Sequence, residues 1–154
     1  MLENEVNAGH VGYRNQLDRA RRFLDRVQGP HPNNLAFQDM VWAFFQNCYH
    51  VRDWICNDPL LESPQVKSIL EKAGKSPPLQ RCGDLCNGTK HLVSKATRHH
   101  HDKMVVEPGG QCDIDCIIAA GDDEQMSAKQ LARECIAEWE RILQSEGLAT
   151  ARLS

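Results

Sequence analysis

Apolar residues recur at steps of three and four along most of this chain, the signature of amphipathic helices. Tyr13, Leu17, Ala20, Leu24 and Val27 mark one face of a first helix, predicted from about Glu5 to Val27. Phe23 widens that face, and Arg14, Arg21, Arg22 and Arg26 occupy the rest. "QGPHPNN" ends it, with Gly29, Pro30 and Pro32 as breakers. A second helix is predicted from about Leu35 to Asn57, capped by Asn33 or Asn34. Phe37, Val41, Phe44 or Phe45, Cys48, Val51 and Ile55 form its stripe, and Trp42, Tyr49 and Trp54 broaden it. So wide an apolar surface marks a central helix touched by several neighbours. Its minority polar line is Asn47, His50, Asp53 and Asn57.

Ser63-Pro64 is a cap followed by proline at the first helical position. The short third helix turns Val66, Ile69, Leu70 and Ala73 inward, and Gly74 ends it. Ser76-Pro77 repeats the start signal for a fourth helix running to about Arg98. Its inner side is Leu79, Cys82, Leu85 or Cys86, Thr89, Leu92 or Val93, and Ala96. After His101 the rhythm changes. "KMVVE", "PGGQ" and "CDIDCIIAA" predict a hairpin or meander, and "GDDEQM" a further turn. Ser127 then caps a last helix, with Gln130 completing a capping box. Leu131, Cys135, Ile136, Trp139 and Ile142 or Leu143 form its face, and Gly147 closes it.

The predicted fold is therefore mainly α: an up-and-down bundle of four to five helices with a small β-hairpin insertion before the last helix. One domain spans 1–154, with the insertion at about 103–120 and a loose tail at about 147–154. A chain of 154 residues can bury a core of its own. Its composition, 41% hydrophobic and 25% charged, is that of an ordinary globular protein. The formal net charge of -3 argues against a generic electrostatic nucleic-acid binder, though not against a local basic patch. No apolar run approaches the roughly 18 residues that span a bilayer. "MLENEVNAGHVGYRNQL" lacks the plan of a signal peptide, which predicts a cytoplasmic protein without a membrane partner.

Seven cysteines, Cys48, Cys56, Cys82, Cys86, Cys112, Cys116 and Cys135, then read as reduced, mostly buried thiols. Cys82-x-x-x-Cys86 and Cys112-x-x-x-Cys116, with His91 and His99 to His101 between them, raise zinc as an alternative. Core packing explains the same positions, because each pair falls on one face of its element. No metal and no cofactor is therefore assigned. His99 to His101 read as a solvated helix end. A nucleophile elbow, a phosphate-binding loop and a dinucleotide glycine pattern are all absent from the sequence.

"DLCNGTKHL" is harder to explain by packing. Asp84, Asn87 or Gly88, and His91 share one helix side, off the Cys82-Leu85-Thr89-Leu92 line, and Lys90 stands about 100° from His91. Gly88 costs a helix interior about 1 kcal/mol relative to alanine, and such a glycine permits close approach. In the plainer reading this strip meets His50 and Asp53 across the bundle, and each polar group finds a partner there.

The pair "FFQNCYHVRDWI" and "CGDLCNGTKHLV" resembles the helical proteins of the HEPN superfamily, in particular prokaryotic members with a "YH-x-x-DW" helix and an "N-x-x-KH" helix. The resemblance covers Phe37 to Val93 and, loosely, the closing "AKQLARECIAEWERIL". It implies an RNA-associated protein, a metal-independent endoribonuclease of a toxin-antitoxin or phage-defence system. It also implies a homodimer and an antitoxin-like partner. The superfamily's arginine-polar-x-x-x-histidine motif falls on Cys86 to His91: Asn87 and His91 match, and Cys86 stands where the arginine would be. The implied catalytic residues are His91, Asn87 and Lys90, supported by His50, Asp53, Arg52 and Asp84. Arg52, Lys90 or Arg81 would have to supply the missing positive charge. Histidine moves protons near neutral pH, and a cation or amide donor holds phosphate oxygens. A noncatalytic helical interaction or dimerisation module is the alternative function, and a zinc-stapled structural protein a second one.

Overall fold

The computed structural model describes residues 12–87, 103–106, 112–115, 117–119 and 125–153. They form a mainly helical bundle. Helices α1 (Tyr13–Gln28), α2 (Asn34–Cys56), α3 (Ser63–Lys75) and α4 (Pro77–Asn87) come first. Strands β1 (Lys103–Val106), β2 (Cys112–Asp115), β3 (Ile117–Ala119) and β4 (Gln125–Ser127) follow, and α5 (Ala128–Ser145) comes last. The first-helix residues expected before position 12, and the expected fourth-helix residues from 88 to 98, lie outside the described residues.

Helix α2 touches each of the other helices and β2, as its broad apolar surface predicts, and α5 also touches all four. Phe37, Phe44, Phe45, Cys48, Val51 and Ile55 are essentially inaccessible to solvent. Leu131, Cys135, Ile142 and Leu143 meet them from α5. Burial of such side chains stabilises a fold by about 1.5–3 kcal/mol each.

The helix ends are held locally and from a distance. Asn33 caps α2 by accepting from the Ala36 amide at 2.9 Å. Gly12 offers α1 no side-chain cap, and Asp58 takes that role from the α2–α3 link, accepting from the Tyr13 amide at 3.0 Å. A carboxylate there also suits the positive end of the helix dipole. The Ser76 hydroxyl does not cap α4 but donates to Glu138 on α5 at 2.6 Å. Ser127 caps α5 through the Gln130 amide, while the Gln130 side chain turns to Glu134 instead of completing the box. Gly147, at φ 73°, closes α5: its amide reaches Gln144 O, and the Leu148 amide reaches Leu143 O, a Schellman arrangement.

Two expectations need correction. The insertion holds two antiparallel hairpins, β1–β2 and β3–β4. The second extends into residues expected to be a turn, because Met126 pairs with Ile118 and both lie against the core. The tail is not loose either. Tyr13 Oη donates to Ala149 O at 2.6 Å, Arg14 to Ala151 O at 2.9 Å, and the Leu153 amide to Asp18 at 2.8 Å. Arg21, buried between Asp18 and Glu140, also donates to Thr150 O. The α1 arginines are thus partners for tail carbonyls, which helical periodicity cannot reveal.

Candidate functional site

Helices α2 and α4 pass close where Gly83 faces Tyr49. A Cβ on Gly83 would sit 3.3 Å from Tyr49 Cε2, so the glycine makes room for the ring. The ring reaches the rim of a cleft, where Asn87 Nδ2 donates to its hydroxyl at 3.1 Å. Arg52, one turn along α2, reaches the same hydroxyl at 3.5 Å, its guanidinium 5.5 Å from the ring centroid. Tyr49, Arg52, Asp84 and Asn87 form the polar side of this cavity of about 240 Å³. Its apolar side includes Leu70, Leu79 and Trp139, and Cys48 and Cys82 also line it. Arg52 has five N–H donors and the Asn87 amide two, so both can bind an anion and keep the tyrosine contact.

The expected site residues divide into three groups. Asn87, Arg52 and Asp84 line the cleft. His50 and Asp53 pair with each other, Nδ1 to Oδ2 at 3.0 Å, with both side chains more than half exposed, and neither lines the cleft. Lys90 and His91 lie outside the described residues, as do Gly88 and His99 to His101. Arg81, the other cation considered, turns to Met126 of β4 at 3.5 Å and does not line the cleft. The polar line of α2 is split as well: Asn47 bonds back to Ala43 O and accepts from Gln16 of α1.

Beneath the cleft, three helices bring thiols together. Sγ atoms of Cys48 (α2), Cys82 (α4) and Cys135 (α5) lie within 4.8 Å of one another, and all three residues are buried. Cys86, half-buried one turn beyond Cys82, joins their edge: both donate to Phe45 O at 3.4 Å. Cys135 donates to Pro78 O at 3.4 Å. The Trp139 indole N–H holds Cys48 O at 3.2 Å.

The thiols influence one another. The Cys135 thiol and burial push Cys48 well up. For Cys82, a bond from Cys135 favours the thiolate, but Cys48, Cys86 and burial together outweigh it and raise the pKa. Cys135 is also raised: Cys48 favours its thiolate, and Cys82 and burial prevail. Cys86 alone is lowered, by the bond from Cys82. Cys48, Cys56, Cys82, Cys86 and Cys135 are free of disulfides, and Cys56 is exposed at the end of α2, away from the expected core.

Tyr49 and Gly83 had no assigned role in the sequence. Tyr49 looked like a widening of the apolar stripe, and Gly83 like any residue of α4. The "YH-x-x-DW" and "CGDLCN" segments do place both beside the expected residues. Cys48 and Cys135 carried no spacing signal, because helix packing alone brings them to Cys82.

No protein-family model, curated protein or solved structure matches this chain. Among the described residues no helix is long and apolar enough to cross a membrane.

Proposed function

We propose that the α2–α4 cleft receives RNA phosphate, and that the chain is a HEPN-like, metal-independent endoribonuclease of a toxin-antitoxin or phage-defence system. The observation that supports this reading is the convergence of Arg52 and Asn87 on the Tyr49 hydroxyl at the rim of one cleft. Two donors of the kind that hold phosphate oxygens thereby face the same space. Arg52 takes over the charge that Cys86 cannot carry in the motif frame.

Cleavage in this reading uses the RNA's own 2′-hydroxyl. His91 accepts its proton as the oxygen attacks phosphorus. Arg52, Asn87 and Lys90 hold the charge that builds on the phosphorane oxygens. The P–O5′ bond breaks and the 5′-oxygen takes a proton from solvent, giving 2′,3′-cyclic phosphate and 5′-hydroxyl ends. Tyr49 orients the two donors. A second copy and an antitoxin-like protein are the partners that the resemblance implies.

A second reading is a noncatalytic interaction module. The observation favouring it is that Cys86 sits half-buried with its thiol on Phe45 O, so the motif's arginine position is turned toward the core. A mixed RNA pool incubated with the protein in chelator separates the two. The nuclease reading expects cyclic-phosphate ends that disappear in a folded His91→Ala variant. Intact RNA with wild type, or cleavage unchanged in His91→Ala, would leave the interaction module.

A further inference from the structure

The thiol cluster is not used by the RNA reading. Cys48, Cys82, Cys86 and Cys135 gather at one place, drawn from three helices. Cysteines serving only as small hydrophobes have no reason to converge. The Cys82 and Cys86 thiols donate to Phe45 O and the Cys135 thiol to Pro78 O, and carbonyls are weak partners for thiols.

We propose that Cys48, Cys82 and Cys135, with Cys86 as fourth ligand, form a structural zinc site that ties α2, α4 and α5 together beneath the cleft. The geometry is close to what zinc needs. Zn–S bonds of about 2.3 Å place tetrahedral sulfurs roughly 3.8 Å apart. The three Sγ atoms already lie within 4.8 Å of one another. Cys86 stands one helical turn from Cys82, and both thiols lie on the same Phe45 carbonyl, which puts Cys86 beside the three as the fourth ligand. It is also the most solvent-accessible of the four, and Cys48 and Cys82 line the cleft, which gives the ion a way in.

Each ligand exchanges an S–H bond for a Zn–S bond and releases its proton to solvent. Thiolate is the form that binds zinc, so zinc uptake is coupled to proton release and weakens in acid. The ligand set differs from the one that spacing suggests. It keeps Cys82 and Cys86 but replaces Cys112, Cys116 and the histidines by Cys48 and Cys135.

The test uses full-length protein prepared without added chelator, with metal content measured by mass spectrometry. A single zinc per chain is expected, and Cys56→Ser should retain it. Cys48→Ser and Cys135→Ser should lose it, and Cys86→Ser should bind it more weakly. Because serine in the core can unfold the chain, wild-type protein is also stripped under reducing conditions and titrated with Co2+. Thiolate-to-cobalt charge-transfer bands together with the intense d–d bands of a tetrahedral site are expected, saturating at a single ion and bleached by zinc. Wild type that carries no zinc and gives no such bands would overturn the proposal. So would a zinc content unchanged in folded Cys48→Ser and Cys135→Ser variants. Neither readout depends on RNA cleavage, so failure of the nuclease reading leaves this result interpretable.

Discussion

The side-chain amide of Asn87 donates to the Tyr49 hydroxyl at 3.1 Å, linking the last described turn of α4 to α2. Arg52 approaches the same oxygen from the α2 side. Tyr49→Phe keeps the ring and removes the shared acceptor. The fold should lose about 1 kcal/mol or less, the net worth of an ordinary hydrogen bond. RNA affinity should fall several-fold, about 1 kcal/mol, since both donors lose their orientation. Thermal melts beside RNA binding check this. An unchanged affinity would mean that the hydroxyl does not organise the site.

Gly83→Ala sets two effects against each other. Alanine raises helix stability by about 1 kcal/mol over glycine in a helix interior. Its Cβ would also press on Tyr49 at 3.3 Å, and the ring must yield by a few tenths of an ångström. Tyr49 is only partly buried and can move. Stability should therefore change by less than about 1 kcal/mol, while the displaced ring weakens RNA binding. Denaturant unfolding and binding measured on one preparation test whether the two separate.

The tail predicts a large effect far from the cleft. Arg21 and Asp18 are an ion pair with side chains only 7% and 10% exposed, closed over by the tail through Thr150 O and the Leu153 amide. Arg21→Ala leaves Asp18 buried without its cation and should cost about 3–5 kcal/mol. Ending the chain after Gly147 should cost roughly 2–4 kcal/mol, since hydrogen bonds to Arg21, Asp18 and Tyr13 are lost. A tail that can be removed with no shift in melting temperature would show that these contacts are not stabilising.

Much of the bundle is legible in the pattern of apolar residues, because helix faces repeat locally. Phe37, Val41, Cys48, Val51 and Ile55 fall on the predicted stripe of α2 and are buried. What could not be read depends on pairing between distant segments. Met126 becomes a strand residue only because Ile118 lies opposite it. Asp58 becomes a helix cap only because the α2–α3 link returns beside Tyr13. The site divides in the same way. Asn87, Arg52 and Asp84 were singled out by residue type and share a cleft. His50 and Asp53 pair with each other at the surface, and His91, which both were expected to meet across the bundle, lies outside the described residues.

The α3–α5 contact should respond to acid. Lys72 and Ser68 hold the Glu146 carboxyl below the usual range. Arg141 and Ser76 do the same for Glu138, against the opposing effect of burial. A carboxyl with a lowered folded-state pKa stabilises the fold above its unfolded value, about 4.3 for glutamate. That contribution is lost as pH falls through the lowered value. Glu138→Gln/Glu146→Gln should melt lower than wild type at neutral pH, and the difference should shrink as pH falls into that range. Parallel melting curves for the two proteins from neutral pH to below 4 would contradict this assignment.

The most direct test of the cleft is the salt dependence of RNA binding, measured by fluorescence anisotropy with a labelled single-stranded RNA and chelator present. Wild type should bind with an affinity that falls as salt rises. Arg52→Ala should bind about tenfold more weakly, a loss of about 1.4 kcal/mol. Its log–log salt slope should be shallower by about 0.7, the value of one phosphate contact on a single strand. His50→Ala, outside the cleft, should bind as wild type does. No binding by wild type even at low salt, or a folded Arg52→Ala variant with wild-type affinity and slope, would contradict the account.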